Sequence, residues 1–319
     1  MGSGSIAHKF ASAVPLADGA ELIACASRTP GKAEKFAAEF GIPTFYDNYE
    51  DLLANPDIDC VYIGTTPNFH YECILQCIRA GKNILCEKPL LSRSADVERV
   101  IAELEKTDLF LMEAMWSRFL PSYQEIRKIL RSGELGKVLH VDSHFSVRQG
   151  PADVPRLYSR ALEASAMTDL GIYNYDLTTF LVEEAPDDMV TTPGVLFDNI
   201  DTECNVLLHF PGEATAFLFC GFRVNTLNTM TAYTEKAKIC FLPYFLNPGR
   251  VEIHYYGGGE KVLEYDIANG FEYEIMEAVR CIRAGKQQSD IHPWAAMLES
   301  AKVYDQLFAA WGNPWPERA

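Results

Sequence analysis

Between Ser5 and Ser117, apolar runs of strand length trade places with segments whose apolar residues recur at helical spacing, and this alternation restricts the chain more than any other feature. A helix is predicted from Ser5, with Ile6, Phe10, Ala13 and Val14 along one face. Glu21 to Ala26 reads as a strand, Lys32 to Phe40 as a helix, Ile58 to Ile63 as a strand, and His70 to Ala80 as a helix closed by Gly81. Asn83 to Cys86 and Leu109 to Ala114 supply two more strands, one on each side of a helix from Ser94 to Lys106. Strands joined through helices run parallel, because the crossover returns the chain to the same end of the sheet, and the helices cover both faces. The first half is therefore expected to be α/β.

Beyond Ser122 the pattern changes. A helix to Arg131 stops at Gly133, a strand covers Val138 to Val147, a stretch rich in Pro and Arg runs to about 160, and a helix spans Thr168 to Val182. Strands then follow one another near 189–198, 203–210, 214–223, 228–234, 237–242, 250–255 and 261–266, before helices from Phe271 to Ala284 and Ala295 to Trp311. Consecutive strands without helices between them imply a mainly antiparallel sheet. With 319 residues, two domains are expected, 1–119 binding a dinucleotide and 120–319 binding substrate and forming a dimer. The helices Thr168 to Val182 and Phe271 to Ala284 are expected to cover one face of the sheet. Phe217, Phe219, Phe222 and Phe241 are expected to offer an apolar surface to a second copy.

The 28 Lys+Arg against 44 Asp+Glu leave a net charge of −16, which opposes binding to nucleic acid or an anionic membrane surface. No apolar run approaches the roughly 20 residues of a membrane span. Met1-Gly2-Ser3-Gly4-Ser5 has neither the basic nor the apolar region of a signal peptide, so a cytoplasmic location is expected. The nine cysteines fall mostly in apolar segments and suit reduced, buried thiols. Cys73 and Cys77 lie one helical turn apart, but no second pair follows at ligand spacing, and no metal site is expected.

Chemistry concentrates at the carboxyl ends of the parallel strands. In Cys86-Glu87-Lys88-Pro89-Leu90 the chain must leave the sheet at Pro89, and Lys88 stands where a doubly wound sheet binds its ligands; an ordinary turn is the plain alternative. Gly2-Ser3-Gly4-Ser5-Ile6-Ala7 fits G-x-G-x-x-A, in which Gly2 permits a tight turn, Gly4 admits a pyrophosphate, and Ser5 and Ile6 open a helix whose amides suit an anion. The strand that should precede this loop is missing, and a linker reading of Met-Gly-Ser-Gly competes. Ser27 and Arg28 stand where an NAD site carries an acid. They favour the 2′-phosphate of NADP over NAD, unless they merely cap the next helix. Thr65, Thr66, Pro67, Asn68 and His70 are expected to line the nicotinamide side, although a histidine opening a helix is also a common structural residue. Glu87, Lys88, Pro89, Trp116 and Arg118 complete the expected cofactor wall, with Trp116 and Arg118 flanking a polar substrate or packing a junction. In the second half, Asp169 and Tyr173 share one helical face, which is capping plus core unless that face meets Lys88.

Together these segments resemble the glucose-fructose oxidoreductase, inositol dehydrogenase and MocA superfamily, and within it the dimeric dihydrodiol dehydrogenases, also called NADP-dependent D-xylose dehydrogenases. The matching stretches are Tyr62-Ile63-Gly64-Thr65, Cys86-Glu87-Lys88-Pro89, Phe110 through Phe119, and Asp169-Leu170-Gly171-Ile172-Tyr173. The resemblance implies an N-terminal Rossmann domain with its first strand missing, a C-terminal α+β domain with an open, mainly antiparallel sheet, and pairing of sheets in a homodimer. It places the family lysine on Lys88, the catalytic tyrosine on Tyr173 and its partner acid on Asp169. The implied reaction moves a hydride between nicotinamide and a carbinol of a sugar, polyol or cyclic diol, with Tyr173 moving the hydroxyl proton, Lys88 holding that oxygen and Asp169 orienting them. The rivals are a redox-silent NADP-binding sensor or scaffold and an NAD-dependent glycosidase. Relatives read Gly-Gly-Ala-Leu-Leu-Asp where this chain reads Ala164-Ser165-Ala166-Met167-Thr168-Asp169, which adds side chains beside the implied nicotinamide pocket.

Overall fold

The computed structural model describes residues 1–192, 194, 196–316 and 318, so positions 193 and 195 of the strand expected near 189–198 lie outside the described residues. In chain order the first elements are α1 (Ser5–Ala13), β1 (Ala24–Ala26), α2 (Lys32–Phe40), β2 (Thr44–Tyr46), α3 (Tyr49–Ala54), β3 (Cys60–Ile63), α4 (His70–Arg79), β4 (Asn83–Glu87), α5 (Ser94–Leu104) and β5 (Leu111–Ala114). Next come α6 (Pro121–Arg131), β6 (Val138–Ser146), a π turn at Met167–Gly171, α7 (Ile172–Val182), β7 (Asp188–Thr192), β8 (Leu196–Phe197), β9 (Ile200–Asp201) and β10 (Glu203–His209). The chain closes with β11 (Thr215–Gly221), β12 (Met230–Thr234), β13 (Ala237–Leu242), β14 (Arg250–Tyr255), β15 (Glu260–Glu264), α8 (Phe271–Arg283) and α9 (Trp294–Ala310).

These elements form two compact units, each built from two stretches of chain: Met1–Trp116 with Asn269–Ala301, and Ser117–Ala268 with Lys302–Ala319. The expectation of one division after residue 119 and of a helix from Phe271 covering the antiparallel sheet differs from this arrangement. α8 packs on α1 instead, and Asn269 Nδ2 donates to the Lys9 carbonyl at 3.2 Å. Amphipathic spacing shows that a helix buries one face, not against which sheet it does so.

In the first unit the parallel sheet comes in two pieces, β1-β2 and β3-β4-β5. Between β1 and β3 lies a cleft of about 650 Å³ lined by Leu22, Ile23, Cys25, Val61 and Tyr62 among others. Met1 and Gly2 occupy one end of it with the ladder of a central strand. The Met1 amine donates to the Tyr62 carbonyl at 2.7 Å, the Gly64 amide donates to the Met1 carbonyl at 2.9 Å, and the Gly2 amide donates to the Ala26 carbonyl at 3.0 Å. Among the described residues the sheet thus has a gap between β1 and β3. The strand expected from Glu21 shrinks to Ala24–Ala26, where pairing with Thr44–Tyr46 of β2 begins, and Glu21, Leu22 and Ile23 line the cleft. Gly2 has φ of 95°, and a Cβ there would fall 2.7 Å from the Gly64 carbonyl oxygen, so only glycine makes this turn.

The second unit is built on an eight-stranded sheet of order β15-β14-β13-β12-β6-β11-β10-β7, in which only the β6/β11 pair is parallel. α7 packs on β6 and β11, and α6 packs on α7. Alternation fixes the two faces: Ala216, Leu218 and Cys220 are buried while Phe217 and Phe219 are half-buried. Phe222 and Phe241 belong to the covered side, contrary to expectation. Phe241 shares the parity of Ala237 and Ile239 and stacks on Tyr123 with ring centroids 4.6 Å apart. The first turn of the helix expected from Thr168 is a π turn seated on β11. A Cβ on Gly171 would fall 2.6 Å from Met167 Sδ and 2.8 Å from Cys220 Sγ.

Candidate active site

The turn after β4 is the most constrained part of the first unit. Residues 84–92 are buried with one exception, Lys88, which is half-exposed. Glu87 lies beneath it: its Oε1 accepts from the Tyr62 hydroxyl at 2.7 Å and its Oε2 from the Lys88 amide at 3.3 Å. Burial raises the Glu87 carboxyl above its ordinary range, opposed by the Tyr62 hydrogen bond and the Lys88 charge. The Lys88-Pro89 peptide bond is cis. His70, the first residue of α4, has no exposed surface; its Nδ1 faces the Pro89 carbonyl at 2.9 Å and its Nε2 the Thr65 carbonyl at 3.1 Å. The side chains of Glu87 and His70, expected on a cofactor wall, instead hold the loops on which Thr65 and Lys88 stand.

On the dinucleotide side of this unit, α1 begins at Ser5 with Gly4 as its extended N-cap, and the space a Gly4 Cβ would fill is open to 4 Å. The first amides of a helix lack intrahelical partners, so this loop offers donors with room for an anion. Ile6 packs beneath it, its Cγ2 3.6 Å from where a Gly64 Cβ would stand. Ser27 is buried and its Oγ accepts from the Thr29 amide at 3.3 Å. The exposed Arg28 guanidinium lies over the Phe69 ring at 3.8 Å and near Tyr49 at 5.4 Å, which holds it at the end of β1. The Thr66 hydroxyl donates to Asn68 Oδ1 at 2.7 Å, closing the turn that starts at Pro67. These residues fit a dinucleotide: an open glycine at a helix start, and a cation already positioned at the end of β1.

Trp116 and Arg118 do not present themselves to a ligand in the expected way. Trp116 is buried against Phe271, with the Lys9 ammonium 4.3 Å from its ring centre. Arg118 is buried in the second unit, 3.3 Å from Asp176 and over the Phe180 ring. Tryptophan and arginine near a strand end are as suited to packing as to binding, and here packing takes them.

Within the second unit, Asp169 lies in the π turn with Arg156 3.6 Å from its carboxylate, and Tyr173 follows in the first turn of α7 with its ring edge-on to Phe145. π turns interrupt α-helices at functional positions more often than elsewhere. The buried Asp201 accepts from the Met167 amide at 2.9 Å, and Ser165 Oγ accepts from the Thr168 amide at 3.2 Å. Ser165, one of the two residues replacing the relatives' glycines, is therefore used to cap the turn. Asp201 and Ser165 had no signal in the sequence beyond being polar.

Family models match both parts of the chain: the oxidoreductase family with NAD-binding Rossmann fold over residues 1–115, and the GFO/IDH/MocA C-terminal domain over residues 123–240. The chain is a member of the Gfo/Idh/MocA oxidoreductase family. It is 31% identical to trans-1,2-dihydrobenzene-1,2-diol dehydrogenase of Xenopus laevis, covering 98% of this chain and 97% of that protein. It is 29% identical to the human protein of the same name, covering 93% and 90%. Among solved structures it superimposes on aldose-aldose oxidoreductase of Caulobacter crescentus complexed with glycerol, with a TM-score of 0.86, 26% identity and coverage of 95% and 93%. It has the same fold as levoglucosan dehydrogenase in complex with NADH and levoglucosan, with a TM-score of 0.86, 19% identity and coverage of 98% and 95%. Among the described residues no helix is long and apolar enough to cross a membrane.

Proposed function

We propose that the chain is an NADP-preferring oxidoreductase that interconverts a secondary carbinol and a carbonyl on a sugar or cyclic diol. The observation that carries this reading is Lys88, the one half-exposed residue in the buried run 84–92, held at a strand end by Glu87. A bound nicotinamide dinucleotide supplies the two-electron acceptor or donor. Lys88 Nζ donates a hydrogen bond to the reacting oxygen and stabilises negative charge as it develops there. Tyr173 Oη takes the hydroxyl proton in oxidation and returns it in reduction, and Asp169 orients the two. Gly2, Gly4, Ser5 and Ile6 bind the pyrophosphate. Arg28 pairs with a 2′-phosphate, which is the basis for placing NADP before NAD.

Two relatives' names support the substrate class, one a cyclic diol dehydrogenase and the other an aldose oxidoreductase. Capping by Ser165 weighs against the redox-silent alternative, since that replacement serves the helix start. The chain is further proposed to pair through the open face of its sheet and to act in the cytoplasm, where nine free thiols stay reduced.

The test combines fluorescence titration with NADP and NAD and absorbance at 340 nm across aldoses and cyclic trans-diols. Lys88→Met is expected to lower kcat by about 10²–10⁴-fold while leaving NADP affinity within about threefold. Unchanged turnover removes the lysine from the reaction, and NADP binding without turnover on any substrate favours the redox-silent reading.

A further inference from the structure

The reading of Lys88 leaves unexplained why a buried Glu113–His292 contact is maintained against the Leu90 amide, two residues beyond Lys88. Glu113, in β5, is 2% exposed and His292 is 0% exposed. Glu113 Oε1 accepts from the Leu90 amide at 2.6 Å, and its Oε2 lies 2.8 Å from His292 Nε2. A carboxylate removed from water costs several kcal/mol unless it is paired and hydrogen-bonded, and in the middle strand positions of a parallel sheet an apolar side chain is the cheaper occupant. What Glu113 adds is a fixed acceptor for Leu90, across the β4/β5 ladder that pairs Glu87 with Ala114.

His292 is itself pinned. Its amide and that of Ile291 donate to Ser289 Oγ at 3.3 and 2.9 Å, and two residues on Trp294 Nε1 donates to the Leu111 carbonyl at 3.0 Å. On the opposite side of the turn, the His70 ring nitrogens take the Pro89 and Thr65 carbonyls. The segment carrying Lys88 is thus gripped at its amide side by β5 and the stretch around residue 292, and at its carbonyl side by α4.

We propose that Glu113 and His292 are positioning residues for Lys88, fixing the Leu90 amide so that the amine at 88 is held in one place. The proposal rests on the reading of Lys88 given above, and two of its readouts do not depend on that reading. Glu113→Ala is expected to speed amide hydrogen exchange across residues 86–92 by at least about tenfold and to change the rate at which Lys88 is acylated by an amine-directed reagent. Exchange in α2 and in β10 to β11 should stay as in the parent.

In turnover, kcat falls at least about tenfold with KM and NADP affinity within about threefold, and Glu113→Gln, which restores an acceptor for Leu90, recovers part of the loss. Added to Lys88→Met, Glu113→Ala lowers kcat no further. Unchanged exchange over 86–92 and unchanged Lys88 labelling overturn the proposal, as does a loss additive to that of Lys88→Met. Should the parent turn over no substrate, the reading of Lys88 fails while exchange and labelling still decide the grip on the turn. If Glu113→Ala does not fold, His292→Asn carries the same readouts.

Discussion

Asp201 shows how a single buried carboxyl writes itself into stability. Burial raises its pKa from 3.8 to about 7, against hydrogen bonds from the Met167 amide and Ser165 that lower it. The folded value lies above the unfolded one, so between about pH 4 and pH 7 the native chain holds a proton that the unfolded chain has released. Stability is therefore greatest below that window and falls as pH rises through it. Asp201→Asn keeps an oxygen for the Met167 amide and removes the charge. Its melting temperature should match the parent near pH 4, exceed it increasingly up to about pH 7 and keep a constant lead above that; a pH-independent difference across the whole range would contradict the account. The places of Lys88 at a strand end and of Asp169 and Tyr173 around one helix start are legible in the sequence, because polar residues there stand out against apolar neighbours. The grip of Glu113 and His292 is not, because 179 residues separate them and each alone reads as ordinary. For Trp116 and Arg118 the sequence leaves binding and packing open, because residue type does not reveal which face of a side chain is covered; the structure shows the packing.

Elements with strong periodicity were readable almost to the residue, as α4 illustrates: His70, Cys73, Ile74 and Cys77 form its buried stripe and Gly81, with φ of 68°, ends it. Short pieces were not. β2 and α3 between Thr44 and Ala54 are three and six residues long, too brief for a period to declare itself. The π turn at Met167–Gly171 could not be read either, since α and π spacing differ by one hydrogen-bond step and the choice is made by Asp201 and Ser165. The gap between β1 and β3 yields an element-scale prediction. The Met1 ammonium is buried, and desolvation lowers its pKa. Joining five β-branched apolar residues to Met1 would replace that cation with a neutral amide and cover the apolar walls of the cleft. Such a variant is expected to melt higher by on the order of 5 °C in calorimetry. An equal or lower melting temperature would show that the cleft does not accept a strand.

At the scale of the whole molecule, the open face of the eight-stranded sheet carries a row that register makes continuous: Val190 opposite Leu207, and Leu207 opposite Phe217. Val190 is 59% and Leu207 51% exposed, and Leu139 on β6 adds 46%. Pairing of two copies through this row predicts a light-scattering mass of twice 35.7 kDa at micromolar concentration. Leu207→Glu with Phe217→Glu is expected to halve that mass without changing the far-ultraviolet spectrum; a monomeric parent would exclude the interface. Which helix closes which unit was beyond sequence reasoning, because the amphipathic pattern of α8 satisfies either sheet. That assignment matters during synthesis. α1 rests on α8, and the Lys9 ammonium stands 4.5 Å from the Phe271 ring, so the amino-terminal lobe cannot finish until its last stretch leaves the ribosome. At about 5–20 residues per second, roughly eight to thirty seconds of translation separate Trp116 from Asn269. Throughout that interval the flank of α1 that later rests on α8 is bare on the nascent polypeptide.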